Sequence, residues 1–487
     1  MRILQVSAEL FPLLKTGGLA DVAGALPLAL AAAGQDVRVL LPGFPAIMAG
    51  IGDAAPVAAF AAPWGDAVHL RLGRIAIDGS PAIPAYVIDA PALYGQPGNP
   101  YEDANRQPHA DSHRRFALLG WAAAQIAQQG LDAGWQPEVV HAHDWHAALA
   151  PAYLAFGAAS GRPRVGSVFT VHNLAYQGLF APRHFADLGL PPAAFSVNGL
   201  EYYGQVSFMK GGLCFADRIT TVSPTYAREI QTPEQGFGLD GLLHSRADRL
   251  TGILNAVDDR VWNPAGDTLI AHRYDPRRLA GKARCKAALQ EELGLAAQAD
   301  APLFIVVSRL TEQKGLHLVL GALDALLAQG GQFALVGSGD AELEAAFRQR
   351  AVAAPQSVSV TLGYSEPLAH RLFGAGDVTL VPSLFEPCGL TQMYGLKYGS
   401  LPLVHRVGGL ADTVADCTLE NLADDTATGF VFDDFGIDGC ARAVRRAFAL
   451  HARPVEWRRV RANAMRRPAD WATAAAQYMT VYEESLP

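Results

Sequence analysis

The sequence predicts an α/β protein made of two Rossmann-like, doubly wound parallel-sheet domains, and three observations predict it. Short apolar runs ending in polar residues alternate with longer runs of helical period, the pattern of repeated βαβ units. That alternation comes as two series, separated by a turn-rich stretch near residue 255. The chain has 487 residues, more than a single hydrophobic core sustains.

In the first series "ILQVSAE" (3–9) reads as a buried strand. A loop through Lys15, Gly17 and Gly18 follows, and "LADVAGALPLALAAAG" reads as a helix closed by Gly34. "DVRVLLP" (36–42) is the next strand, which completes a β-loop-α-β unit. "PEVVHAHD" (137–144), "VGSVFTVHN" (165–173) and "ADRITTVSP" (216–224) are further short strands with polar ends. The second series opens with the strand "PLFIVVSRL" (302–310), the loop "TEQKG" and the helix "LHLVLGALDALLAQGG". It continues through "QFALVGSG" (332–339), "VSVTLGY" (358–364), "DVTLVPS" (377–383) and "LPLVHRVGG" (401–409). "GILNAVDDRVWNP" (252–264) carries turn residues and a proline, so the domains are expected at 1–252 and 253–469. A last helix within 470–487 can pack back on the N-terminal domain.

Composition narrows the function classes. Half of the residues are hydrophobic and 18% are charged, as in an ordered globular protein. A net charge of −8 argues against a nucleic-acid partner, which would want a basic face. The one basic run, "RRVRANAMRR" (458–467), reads as a solvated helix face. Five scattered cysteines without a Cys-x-x-Cys pair argue against a disulfide scaffold or a zinc site and suit a reducing cytoplasm. The N-terminus lacks the regions of a signal peptide, and no stretch reaches the ~18 apolar residues of a membrane span.

Ligands of open α/β sheets bind at the carboxyl ends of the strands, and here those loops are crowded with ionisable groups. Lys15, Gly17, Gly18 and Asp21 follow the first strand. "HAHDWH" and then "VHNLAYQG" follow later ones, and "SRLTEQKG", "GSGD", "GYSE" and "SLFEPCGLTQ" hold the same places in the second series. Arg309 and Lys314 flank a strand-to-helix turn. They are either surface cations or, with a helix N-terminus, a diphosphate site. Glu386 precedes Pro387 and Gly389, and a helix is expected from about Leu390. Backbone N–H groups from Gly389 to Thr391 would then face an anion, with Glu386 free to accept from sugar hydroxyls. "GGLAD" occurs at 17–21 and again at 408–412, which implies similar local geometry at two helix starts.

Other motifs are ambiguous or absent. His141, His143, Asp144 and His146 could ligate zinc, pack as core histidines, or present Asp144 to an acceptor; His172 and Asn173 end the next strand. There is no Gly-x4-Gly-Lys-Ser/Thr, "GSGDAE" is only part of a dinucleotide fingerprint, and "DFG" (434–436) lacks a kinase catalytic loop. Asp-x-Asp occurs nowhere, so a metal-bridged nucleotide sugar is not expected. Diphosphate charge must then be met by Arg309, Lys314 and helix dipoles.

These residues resemble the bacterial glycogen synthases and plant starch synthases. The resemblance runs in order through "KTGGLADV", "GNPYED", "HAHDWHA", "TVHNLAYQG", "SFMKGGL", "SPTYAREI", "SRLTEQKG", "FEPCGLTQMYGLKYG" and "GGLADTV", nearly the whole chain. It implies the GT-B architecture, two domains facing across a cleft. It also implies transfer of glucose from ADP-glucose to the non-reducing end of an α-1,4-glucan such as glycogen, with retention, no cofactor and no metal. Carried over residue by residue, Arg309 and Lys314 would hold the diphosphate. Glu386 would hold the transferring glucose, with Cys388, Gly389, Leu390 and Thr391 helping through their backbone. Tyr364 would stack on adenine, and Lys15, Gly17, Gly18 and Asp21 would close over the donor from the opposite domain. Asp144, His172 and Tyr101 would line the acceptor side, and Asn173 and Asn255, the latter at the junction, are further substrate-binding candidates. Retention without an evident nucleophile implies front-side attack, the departing phosphate taking the acceptor's proton.

The chain departs from this family at "LNAVD", where Ala256 stands in place of glycine and alanine disfavours positive φ. Tyr394 occupies the second place of the Glu-x7-Glu pattern of other GT-B enzymes. A UDP-glucose-dependent transferase, a non-catalytic glucan-binding protein and a Rossmann dehydrogenase are the competing readings.

Overall fold

Strand β1 (Arg2–Val6) is almost wholly apolar, with Ile3, Leu4 and Val6 fully buried. A strand that is apolar on both faces needs cover on both, and a parallel sheet flanked by helices supplies it. The computed structural model describes residues 1–76, 80–132, 134–157 and 164–487. They form two compact units, Met1–Asn255 with Trp471–Pro487, and Ala256–Asp470.

The first unit is built on strands β1, β2 (Asp36–Pro42), β3 (Gly52–Ala61), β4 (Ala67–Ile75), β5 (Ile83–Asp89), β6 (Val139–His143) and β7 (Gly166–Val171). Short strands β8 (Leu179–Phe180), β9 (Glu201–Tyr202) and β10 (Gln205–Ser207) form a small separate sheet. Strands β11 (Arg218–Thr221) and β12 (Leu250–Gly252) complete the large one, whose order is β12-β11-β7-β6-β1-β2-β5-β4-β3. Pairing is parallel except along β4, which is antiparallel to β3 and β5. The sequence reading did not foresee this edge: β3 is Ala-rich and largely exposed, so no apolar alternation marks it. The C-terminal helix Trp471–Ser485 belongs to this unit and buries Tyr478 and Tyr482 completely.

The second unit holds β13 (Leu303–Val307), β14 (Gln332–Gly337), β15 (Val358–Leu362), β16 (Val378–Val381), β17 (Leu401–His405) and β18 (Phe430–Phe432). All pairs are parallel, in the order β15-β14-β13-β16-β17-β18. The chain winds outward from β13 to β15, then returns to lay β16 on the other side of β13. This is the Rossmann strand order, with its switch point between β13 and β16. Observed strands are shorter than their apolar runs suggested, because the polar ends leave the sheet as loops.

One buried charge cluster supports this sheet from below. Asp377, just before β16, accepts from Lys286 Nζ at 2.7 Å, Arg461 at 2.8 Å and the Leu303 N–H at 3.0 Å. Burial would raise its pKa, but the Lys286 and Arg461 cations prevail and hold the carboxyl well below the usual range. Arg461 therefore corrects the reading of 458–467 as a wholly solvated face. The helix Pro454–Arg466 buries Val460, Ala464 and Met465, and Arg461 lies on that inward side.

Asp377→Ala leaves two buried cations without a counter-charge and is expected to lower the stability of the second unit by about 3–5 kcal/mol. Urea unfolding followed by the fluorescence of Trp262 and Trp457 measures it. A loss below roughly 1 kcal/mol, the worth of an exposed pair, would show that the cluster carries no such load.

Candidate functional site

In the second unit the switch point is closed by two loops. The loop after β13 carries exposed Arg309 and then a single 3₁₀ turn, Glu312–Lys314. Gly315 follows with φ 66°, and a Cβ there would lie 2.0 Å from the carbonyl oxygen of Pro382, in the loop after β16. Only glycine allows so close an approach. The Leu384 N–H donates to Gln313 O at 2.8 Å, and Gln313 Nε2 to Phe385 O at 3.3 Å, fixing the two loops together.

This contact brings Lys314 Nζ to Glu386 Oε2 at 2.6 Å, and Ser383 Oγ donates to the same oxygen at 2.8 Å. Glu386 is buried, with one oxygen committed; Oε1 makes no hydrogen bond among the described residues and remains the acceptor. Sequence reasoning paired Lys314 with Arg309 and left Glu386 free. The structure pairs Lys314 with Glu386, and Arg309 makes no side-chain hydrogen bond or ion pair among the described residues.

Downstream of Glu386, Gly389 takes φ 72° and the helix Thr391–Tyr398 begins after Leu390. Its first N–H groups lack intrahelical acceptors, as at any helix start. Gln392 Nε2 donates to the carbonyls of Cys388 and Gly389, at 2.9 and 2.7 Å, so these oxygens are held away from a ligand. Tyr364, in the loop after β15, is 71% exposed and hydrogen-bonds Glu366. Its ring lies largely exposed at the surface. Tyr394 stacks on Trp262 with ring centroids 3.9 Å apart, so the second Glu-x7-Glu place is a packing position here.

The two "GGLAD" segments differ. Gly17 and Gly18 are exposed, and Gly17 is an extended N-cap with nothing near its Cβ position. Gly408 and Gly409 are buried; the Gly409 N–H donates to Glu386 O, and a Cβ on Gly409 would lie 2.2 Å from Cys388 O. The first pair opens a helix start, and the second wedges beneath the Glu386 loop. The partial dinucleotide fingerprint also dissolves into packing. Cβ atoms at Gly337 and Gly339 would strike the carbonyls of Ser308 and Leu310.

In the first unit the corresponding switch point lies between β1 and β6. β1 ends at Val6, and Glu9 is a buried loop residue that the sequence reading absorbed into the strand. Glu9 accepts from the Thr16 N–H at 2.6 Å and from Thr16 Oγ1 at 2.5 Å, and Tyr101 O–H also donates to it. Burial, then the Glu9 charge, holds the Tyr101 phenol well above its ordinary pKa. In the same loop Lys15 Nζ pairs with Asp21 Oδ1 at 2.9 Å, so Asp21 is the counter-ion of Lys15.

Asp144 begins the one-turn helix Asp144–Ala147 directly after β6. Its φ is 58°, a left-handed conformation that Asp tolerates at a cost of about 1–3 kcal/mol. It is buried, and Oδ1 has no hydrogen-bond partner. Burial pushes its pKa up to about 7, against backbone N–H groups of Trp145, Asn173 and His172 that favour the charged form. Strain, an unpartnered oxygen and a carboxyl poised near neutrality coincide at this residue.

The histidines nearby are structural partners. His141 binds Tyr482 and Thr170, and His143 binds Gln5 and His172. They form no metal cluster among the described residues. The group that has such spacing is His113, His184 and Asp187, where Asp187 already accepts from His113 at 2.9 Å and Arg114 at 3.1 Å. Asn173 Oδ1 is used locally, accepting from the Ala175 N–H. Asn255 is buried with Oδ1 unpartnered, and Ala256 has no positive φ, so this junction does not need the family's glycine.

Comparisons with known proteins agree with this fold. The family model described as starch synthase catalytic domain matches residues 2–245, and that of glycosyl transferases group 1 matches residues 293–463. A glycogen synthase of Variovorax paradoxus (strain S110) is 75% identical over 491 residues, covering 100% of this chain and 99% of the relative. One from Leptothrix cholodnii is 61% identical, covering 99% of both chains. The catalytic domain of starch synthase IV from Arabidopsis thaliana, bound to ADP and acarbose, superposes with TM-score 0.89 at 31% identity, covering 99% of each chain.

A buried carboxyl with a raised pKa stabilises the fold while protonated. That contribution is complete below the unfolded value of about 3.9 and is lost as pH rises to about 7. The stability of the native protein relative to Asp144→Asn is therefore expected to fall between about pH 4 and 7 and to level off above. Urea titrations of both proteins across this range measure the difference, and a flat one would show that Asp144 titrates normally.

Proposed function

The chain belongs to the glycogen synthase and starch synthase family of glycosyltransferases, and on that footing we propose that it transfers glucose from ADP-glucose to the non-reducing end of an α-1,4-glucan. The anomeric configuration is retained and ADP is released. The observation that carries this reading is the Lys314–Glu386–Ser383 cluster at the β13/β16 switch point, beside a helix start and exposed Arg309. ADP in the complex of the Arabidopsis relative supports an adenine nucleotide over a uridine one.

In this reading Arg309 and Lys314 hold the diphosphate and stabilise the charge that develops on departing ADP. Glu386 Oε1 accepts from hydroxyls of the transferring glucose, and the first N–H groups of the helix Thr391–Tyr398 meet phosphate or sugar oxygen. Tyr364 offers its exposed ring to adenine. On the first unit Asp144, His172 and Tyr101 are the acceptor-side groups, and Lys15 adds a cation near an open helix N-terminus. Lys314 and Arg309 supply the positive charge that a metal would otherwise bring, so turnover proceeds without one. The phosphate of the leaving ADP takes the proton of the attacking hydroxyl. No helix among the described residues is long and apolar enough to cross a membrane, and free cysteines fit the cytoplasm.

Glycogen-dependent ADP release from ADP-glucose is expected to persist in EDTA and to exceed release of UDP from UDP-glucose. Absence of turnover with either donor, in folded protein that binds glycogen, would favour a glucan-binding protein. Lys314→Ala and Arg309→Ala are each expected to lower kcat/KM by ~10²-fold or more. The two variants should differ in stability. Lys314→Ala strands the buried Glu386 and is expected to cost roughly 1–3 kcal/mol, whereas Arg309→Ala removes an exposed, unpaired cation and should cost almost nothing.

A further inference from the structure

A continuous hydrogen-bond chain runs through the buried interior of the first unit, from the C-terminal helix to His172. Gln5 Nε2 donates to the Tyr482 hydroxyl oxygen at 2.9 Å, and that hydroxyl contacts His141 Nδ1 at 2.8 Å. The other end of the Gln5 amide, Oε1, faces His143 Nε2 at 2.7 Å. His143 Nδ1 in turn faces His172 Nε2 at 3.0 Å. Gln5, His141, His143 and Tyr482 are all buried, and burial pushes His141 and His172 down to about 3 and His143 well below its ordinary value. The three imidazoles are therefore neutral, and each carries a single N–H.

With one proton per ring, every position follows from the Gln5 amide. A carbonyl oxygen only accepts, so His143 Nε2 must carry its proton and His143 Nδ1 must be bare. His172 Nε2 faces that bare nitrogen and must donate to it, which leaves His172 Nδ1 as a lone pair. The Tyr482 hydroxyl continues the chain in the sense that the Gln5 amide sets. The phenol spends its acceptor on Gln5 Nε2 and its proton on His141 Nδ1, whose Nε2–H then reaches Thr170 Oγ1 at 2.6 Å. Reversing the Gln5 amide would require reversing every bond in the chain.

We propose that Tyr482 is a positioning residue for the transfer reaction: through Gln5 and His143 it holds His172 as the Nε2–H tautomer, so that His172 presents Nδ1 as a hydrogen-bond acceptor to a sugar hydroxyl. The proposal rests on the glucosyltransferase reading above for its sugar, and on the hydrogen-bond chain between neutral rings for its tautomer. The C-terminal helix thus does more than cover an apolar face of the sheet.

The test is long-range ¹H–¹⁵N correlation on full-length protein labelled with ¹⁵N-histidine, with the His172 signals assigned by their loss in His172→Asn. The native protein is expected to show His172 protonated on Nε2 alone. Tyr482→Phe keeps the ring and removes the hydroxyl, and is expected to give a mixture of tautomers at His172. It should also lower kcat by roughly tenfold, the worth of one well-placed hydrogen bond, with KM for ADP-glucose nearly unchanged. Gln5→Met should reproduce that signature, and the double variant should lose no more than either single one. His172 signals that do not respond to Tyr482→Phe, an Nδ1–H tautomer in the native protein, or a loss that tracks only a lowered Tm would each overturn the proposal. A native protein without ADP release would instead overturn the glucosyltransferase reading, and the spectrum would still decide the tautomer.

Discussion

The chemistry of the second unit depends on a space too small for a methyl group. Where the sheet reverses its winding, the loops after β13 and β16 leave the same edge side by side, and the absent side chain of Gly315 lets one press on the carbonyl of Pro382. From that contact follow the bonds between 313 and 384–385, and from those the short Lys314–Glu386 pair. Gly409 completes the support from below, since its missing Cβ lets the Glu386 loop settle on the next strand-to-helix turn. Cation and carboxylate are thus placed by backbone packing, and neither long side chain has to find its partner unaided. Positions that reject a Cβ are the cheapest way to hold a reactive group within a fraction of an ångström.

The same logic, with different polarity, organises the first unit. Its switch point assembles Glu9, Tyr101 and Asp144, and the sheet interior beneath is filled with neutral histidine. His141 and His143 stand two residues apart, on one face of β6, and both belong to the hydrogen-bond chain that Tyr482 and Gln5 anchor. Asp144 is the next residue, where the strand breaks into a left-handed kink and the carboxyl enters a place with too few donors. A buried carboxyl that is short of partners keeps its proton near neutral pH, whereas buried imidazoles give theirs up. Burial, the largest influence on each, therefore pushes Asp144 up and His141 and His143 down within four residues of chain.

Much of this was legible in the sequence where a physical signal is local. β2 was read to the residue because "DVRVLLP" is bounded by charge and proline, and the strand-end rule pointed to the loops that hold Arg309, Lys314, Glu386 and Asp144. Signals that depend on tertiary contact were not legible. Glu9 looks like the end of an apolar run and becomes a loop anchor only when Tyr101 and Thr16 arrive. Arg461 shares its spacing with exposed arginines and differs only in having Asp377 beneath it. The repeated "GGLAD" carries one string into two burial states, because the second pair has a loop above it and the first does not. The Ala-rich edge strand β3 lacks any periodicity that a reader could count.

The helix Trp471–Ser485 belongs to the first unit although it is last in the chain, so the whole second unit is an insertion between residues 255 and 471. Gln5 and Tyr482 lie 477 positions apart. At about 5–20 residues per second, a ribosome needs on the order of half a minute or more to join them. Throughout that interval the nascent first unit holds an incomplete interior, with the His141 and His143 side chains open to water where a tyrosine-lined helix will later sit. The amino-terminal half therefore cannot mature as it emerges. Its folding waits for the helix Trp471–Ser485, whose docking seals that interior.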